Sequence, residues 1–493
     1  MSLASPLQAT GQPPPRRSLR DFFAIDTQPR VVVFAGTPSG RALIFAIGLL
    51  AVGHYFDTWA TLLAVSAALA AAWLPKYRTP LLLTATWLAT LTETLLSGND
   101  FADHIGLVMA AEGIAELPAV GLATASLLVV VIGIRALLAH VRLQPKSLLA
   151  RHPVLAMLAL EAALCALSLP NLLPGWPRLL IWSLLVVVTP FIWFLPYAII
   201  DQRSPSAGPV GLQMATLRPF WSPTYLPFGK GAAYLQKFLA KTPDDLAVTQ
   251  IKGIKLLVWS NLLLAIQVVL GWLFVSHFDT PAVTRTIDAF LHGQPFPITV
   301  SWVALAYSTT QFALQIAIWA HLFIGIARLA GYRLPRGSWR PLESRTLMDY
   351  FNRFHYYFKE LLVDFFFIPT FFSTFRKHPR LRMFFATFMA AAVGNALWHF
   401  VRDIDLVARV GLATALETYA SYAFYCVVLA TGVGLSQIRA NNGIRPSPTV
   451  AGKLYSFVFV WSFVVCMHLF SDGSRQHSLS ERLSFLASLF GVI

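Results

Sequence analysis

The sequence predicts an all-α, polytopic transmembrane helical bundle of about 11 spans plus a re-entrant segment. Three observations predict it. The chain of 493 residues is 56% hydrophobic and only 12% charged, about half the charge of a soluble domain, and its mean hydropathy is +0.61. Apolar runs close to the ~20 residues needed to cross a bilayer recur along it. The Lys and Arg residues behind the net charge of +15 sit mainly in short loops, which reads as a topology signal and argues against nucleic acid as a partner.

Residues 1–40 are polar and Pro-rich at their start (Gln12-Pro13-Pro14-Pro15-Arg16-Arg17) and are expected to form a cytoplasmic disordered tail. No apolar h-region follows the basic residues closely, so a cleaved signal peptide is not expected. Within 41–200 the apolar runs are 42–56, 58–74, 80–97, 119–139, 154–172 and 179–200. The first two are short for a span and suit a tilted or interfacial hairpin. Residues 201–255 carry prolines, aromatics and mixed charge, as in Phe220-Trp221-Ser222-Pro223-Thr224-Tyr225. They read either as a cytoplasmic amphipathic segment on the membrane surface or as a connecting loop. Within 256–472 the runs are 256–276, 299–327, 383–401, 410–435 and 454–470, and 473–493 is expected to be a tail. Cys165, Cys426 and Cys466 all lie in apolar runs without metal-ligand spacing, so no metal site or disulfide framework is expected.

Loop charge sets the orientation. Arg16, Arg17, Arg20, Arg30 and Arg41 precede the first run, which places the N-terminus in the cytoplasm. Alternate loops are then basic: Lys76 and Arg78, then Arg142, Lys146 and Arg151, then Arg203 to Lys241, then Arg328 to Arg345. The pattern conflicts at 360–375, which is apolar but followed by Arg376-Lys377-His378-Pro379-Arg380-Leu381-Arg382. A re-entrant segment returning to the cytoplasm removes the conflict, and such segments are tolerated where protein or a water-filled cavity receives the backbone.

The stretch before it concentrates chemistry. Residues 331–372 place Arg353, His355, Lys359, Glu360 and Asp364 among aromatics, and ionisable groups at membrane depth mark functional sites by default. If helical, His355 and Lys359 share a face at i, i+4. A basic interfacial helix anchored on anionic head groups would use the same residues. Further on, Asn395-Ala396-Leu397-Trp398-His399 puts a histidine near the end of an apolar run. Taken alone, it reads either as a satisfied structural residue or as a site residue.

These residues carry a resemblance. Gly331, Leu334-Pro335, Phe351-Asn352-Arg353-Phe354-His355, Asp364, Pro369 and Trp398-His399 resemble, in order and spacing, the signature region of the membrane-bound O-acyltransferase family. They are most similar to its bacterial polysaccharide (alginate-type) O-acetyltransferase branch. The resemblance covers about 70 to 80 residues. The chain departs from it at Phe354, where the family usually has Trp, and at Phe400, where a small residue often follows.

The resemblance implies acyl transfer, acetyl being expected, from an acyl-CoA or other acyl thioester to a hydroxyl on an extracytoplasmic glycan. No permanently bound cofactor is expected. His399 would be general base, a role worth about 10²–10⁴-fold. His355, toward the cytoplasm, would polarise the carbonyl or orient the donor. Arg353 and Lys359 would meet donor phosphates, and Asp364, Asn395 and Trp398 would complete substrate binding. The implied setting is a bacterial inner membrane, with lipids and an extracytoplasmic protein as partners. The competing class is a lipid or glycan transporter or flippase, whose intramembrane charges line a path.

Overall fold

The computed structural model describes residues 24–492 apart from 97–99, 116–117, 171, 223 and 472–474. The tail residues 1–23, with Arg16, Arg17 and Arg20, lie outside the described residues. Those described are almost all helix and loop; no strand forms among them, and the one β-bridge pairs Leu239 with Tyr332.

Among the described residues, six helices are long and apolar enough to cross a membrane: Ala119–Leu143, Pro243–His277, Ile298–Leu329, Pro379–Arg402, Ala420–Asn441 and Val450–His468. Three bent pairs raise the number to 9 if each is one span. The expected runs 58–74 and 80–97 belong to one such pair, Thr58–Trp73 with Pro75–Thr94, bent by 113°. These helices fit an integral membrane protein. Large apolar side chains such as Ile132, Val268, Val269 and Leu454 are exposed on them, as a lipid-facing surface requires. Their hydroxyls are satisfied within the helix: Thr124, Ser183, Thr309, Thr431 and Ser456 each donate to the carbonyl four residues back.

Three peripheral segments differ from expectation. Residues 24–40 are folded: helix Pro29–Gly36 packs on Pro243–Gly271, and Asp26 pairs with Lys255. Part of 201–255 is interior, with Trp221 only 1% exposed and Phe220 and Phe228 buried. An aromatic-rich stretch has the same composition at a membrane surface or in a core; here the Arg218–Glu93 ion pair draws it inward. The expected tail 473–493 holds helix Leu479–Leu489, closed by a capping box at Ser478 and Glu481. Its Phe485 and Leu489 join Ile287, Leu305 and Phe470 in a local core.

The middle of the chain forms a hairpin that positions the site. Helix Leu347–Phe354 ends at His355, whose φ of −121° and ψ of 54° break the helix. The chain then runs as helix through 356–373, turns, and returns as Pro379–Arg402 against the same face. Both arms contain a π-helical stretch, Val363–Phe367 and Met389–Gly394, and these pack on each other. Such distortions inside α-helices are frequent at functional sites. Their approach depends on Gly394, where an added Cβ would sit 2.6 Å from the Phe366 ring. Gly394→Val is therefore expected to cost about 1–3 kcal/mol by overpacking, measured as a lower Tm of the purified protein.

Candidate active site

Helix Ala420–Asn441 acts as a ruler for the hairpin. Thr387 bonds Gln437, while Tyr422 donates to Asn395 Oδ1 at 3.2 Å and Tyr419 to the Ala396 carbonyl at 3.1 Å. Pro379–Arg402 therefore runs antiparallel to it. Leu347 packs where a Cβ on Gly432 would sit, and His355 shares a small cavity with Tyr425 and Leu429. The segment 347–355 thus enters the protein alongside Pro379–Arg402 and in the same direction, and 356–373 carries the chain back. The basic residues Arg376 to Arg382 end up level with the Arg439 end of the ruler.

This geometry brings His355 and His399 to one level, both against the ring of Phe358, at centroid distances of 6.4 and 5.9 Å. His355 and His399 thus stand beside one another across a single ring. The reason is that 356–373 is a whole returning arm, so the chain between the histidines leads away and back again.

Their surroundings differ. A cavity of about 590 Å³ is lined by Trp221, Phe228, Trp319, Phe323, His355 and Trp398 among others, within the size range of small-molecule sites. On the other side, a cavity of about 40 Å³ also has His355 in its wall, with His468 and Ser471. His355 belongs to both walls. His399 is in neither; its ring contacts Trp398, Phe358 and Tyr422, the last at 4.4 Å.

The remaining expected residues are held by protein partners. Arg353 bonds Asp349 at 2.7 Å, lies 3.7 Å from Glu343 and covers the Trp339 ring. Lys359 pairs with Glu360. Asp364 accepts from Tyr197 at 2.9 Å and from Lys230 at 2.7 Å. Asn395 accepts from Tyr422 and not from His399. Trp398 alone of this group lines the large cavity.

Lys230 organises the returning arm. It bonds both Glu360 and Asp364 at 2.7 Å. Burial works against its charge, but the two carboxylates outweigh burial and hold its pKa above the ordinary lysine value. It stands between Gly229 and Gly231, with φ of 147° and 86°, conformations that favour glycine. Side chains are also excluded at Gly231, where a Cβ would sit 2.5 Å from Asp201. In sequence, Lys230 is one more basic loop residue. The Pro223, Pro227, Gly229 and Gly231 punctuation around it was the available signal.

Among the described residues, no Lys or Arg lines the large cavity, whereas Asp57 and Glu93 do. Glu93 is neutralised by a bidentate bond from Arg218 at 2.6 and 2.7 Å. Among the described residues, no three His, Cys, Asp or Glu side chains gather as a metal would need.

Comparison with protein-family models and with curated proteins finds no match for this chain. Its candidate site consists of two imidazoles beside one ring, one of them shared by two cavities of very different size.

Proposed function

We propose that this protein is a membrane O-acyltransferase, moving an acyl group from a thioester donor to a hydroxyl acceptor. The observation that carries the reading is the position of His355 in the wall of both cavities. Two substrates approaching from two sides would meet at that imidazole. The family resemblance of 331–372 and Trp398-His399 supports the same chemistry.

In this reading the hydroxyl oxygen attacks the thioester carbonyl while His355 takes its proton. The C–O bond forms, the C–S bond breaks, and the proton passes from the imidazolium to the departing thiolate. Alcohol plus thioester gives ester plus thiol, with nothing left over. His355, and not His399, is the proposed base, because only His355 reaches the cavities. His399 would position it through Phe358, which touches both rings.

The large cavity would take the acyl end of the donor. The Asp57 carboxylate, with no Lys or Arg beside it among the described residues of the lining, disfavours phosphates inside it, so the phosphorylated part of an acyl-CoA would remain outside. Arg353 and Lys359, already paired with carboxylates, are not assigned to it. By loop charge the basic turn at 376–382 is cytoplasmic. The 347–373 segment is then the re-entrant element, with His355 at its apex, in a bacterial inner-membrane protein whose N-terminus is inside. The acceptor would come from the opposite face, as an extracytoplasmic glycan hydroxyl does.

Two cavities that share Phe354 and His355 in their walls also suit a transporter of lipids or glycans. Purified protein in lipid nanodiscs separates the two. Acceptor-dependent release of free thiol from acetyl-CoA or a longer acyl-CoA is expected, and its absence with every donor tested would favour transport.

A further inference from the structure

The small cavity restricts what can reach His355 from its far side. Its volume is about 40 Å³, more than the ~10–15 Å³ that holds one water but far below the ~300 Å³ at which ligand pockets begin. A sugar ring does not enter it; a hydroxyl on a one-carbon arm does. His468 and Ser471 line it together with His355, while Ser308 stands outside its wall and bonds His468 from behind. His468 is the last residue of helix Val450–His468, and its Nε2 lies 3.0 Å from Ser308 Oγ. Its Nδ1 lies 3.5 Å from Ser471 Oγ. The ring is held on one side by Phe312, at 5.3 Å. Serine hydroxyls rotate and a neutral imidazole has two tautomers, so the Ser471 hydroxyl, which lines the cavity, can donate to an alcohol or accept from it as the His468 tautomer changes.

We infer that His468 and Ser471, with Ser308 bracing the His468 ring, form the acceptor-side subsite, and that it selects primary hydroxyls delivered end-on over secondary hydroxyls fixed to a ring. This rests on the acyl-transfer reading above. His468 is a positioning residue here: it orients the incoming hydroxyl, while His355 takes the proton.

The test uses full-length protein in nanodiscs with an acyl-CoA. The acceptors are a methyl hexoside and its 6-deoxy counterpart, which lacks only the primary hydroxyl. Wild type is expected to esterify the hexoside at least tenfold faster, at the primary position by mass fragmentation. His468→Ala is expected to raise KM for the hexoside at least tenfold, with KM for the donor within twofold, and to cut the preference between the two acceptors. Ser308→Ala, a smaller change, should move the same quantities less and covers the case in which His468→Ala does not fold. Equal rates on the two glycosides, esters on ring hydroxyls, or thiol release without ester on either would overturn the inference while leaving acyl transfer standing. Folded protein that releases no thiol with any donor would remove the acyl-transfer reading itself, and the inference with it.

Discussion

His355→Ala is expected to lower acyl transfer by about 10²–10⁴-fold, the usual contribution of a general base, with little change in Tm. The side chain ends between two cavities, so its removal enlarges existing space and leaves no filled core behind. The measurement is thiol release and acceptor ester mass, with a thermal melt beside it. His399→Ala makes the comparison informative. Its ring is packed among Trp398, Phe358 and Tyr422, so it should lose stability as well as rate, and less rate than His355→Ala. If His399→Ala alone abolished turnover in fully folded protein while His355→Ala retained it, the base would be His399, as the sequence resemblance implies.

The second large effect is on stability. Lys230→Met removes the cation between Glu360 and Asp364, and leaves two carboxylates sharing a site with Tyr197. Breaking a buried pair by deleting one partner costs about 3–5 kcal/mol. These side chains are 19%, 21% and 25% exposed, so solvent screening reduces this to about 2–3 kcal/mol. Tm should fall by several degrees. The triple variant Lys230→Met, Glu360→Gln, Asp364→Asn should recover much of the loss, because no unpaired charge remains. A triple variant as unstable as the single one would mean that Lys230 acts through packing. Activity should fall with Lys230→Met too, since the cluster ties loop 218–230, which lines the large cavity, to the arm that begins at His355.

Much of the fold was legible because hydropathy is a local property. The 119–139, 256–276, 299–327, 383–401 and 454–470 runs all correspond to long apolar helices. The total of about 11 was not recovered: among the described residues six helices are long enough alone, and bent pairs such as the one broken by 113° at Pro75 raise this to 9 at most. The site was legible as a set of residues but not as an arrangement. Arg353, Lys359 and Asp364 look alike in sequence to ligand-binding charges, yet each is matched by a protein partner. The distant partners are Lys230, 130 residues from Glu360, and Tyr197, 167 residues from Asp364, and His468 closes an apolar helix with no motif around it.

By itself, the sequence determined that this chain is helical and built for a membrane, because burial in lipid demands apolar runs of a certain length and backbone bonds made within each helix. It also marked 347–399 as the place where ionisable groups enter that environment. Only the tertiary structure decided that His355 and His399 stand at the same depth, and that one of them faces two cavities. Depth depends on how the 356–373 arm folds back along Pro379–Arg402, and a cavity is the space left between side chains that are far apart along the chain.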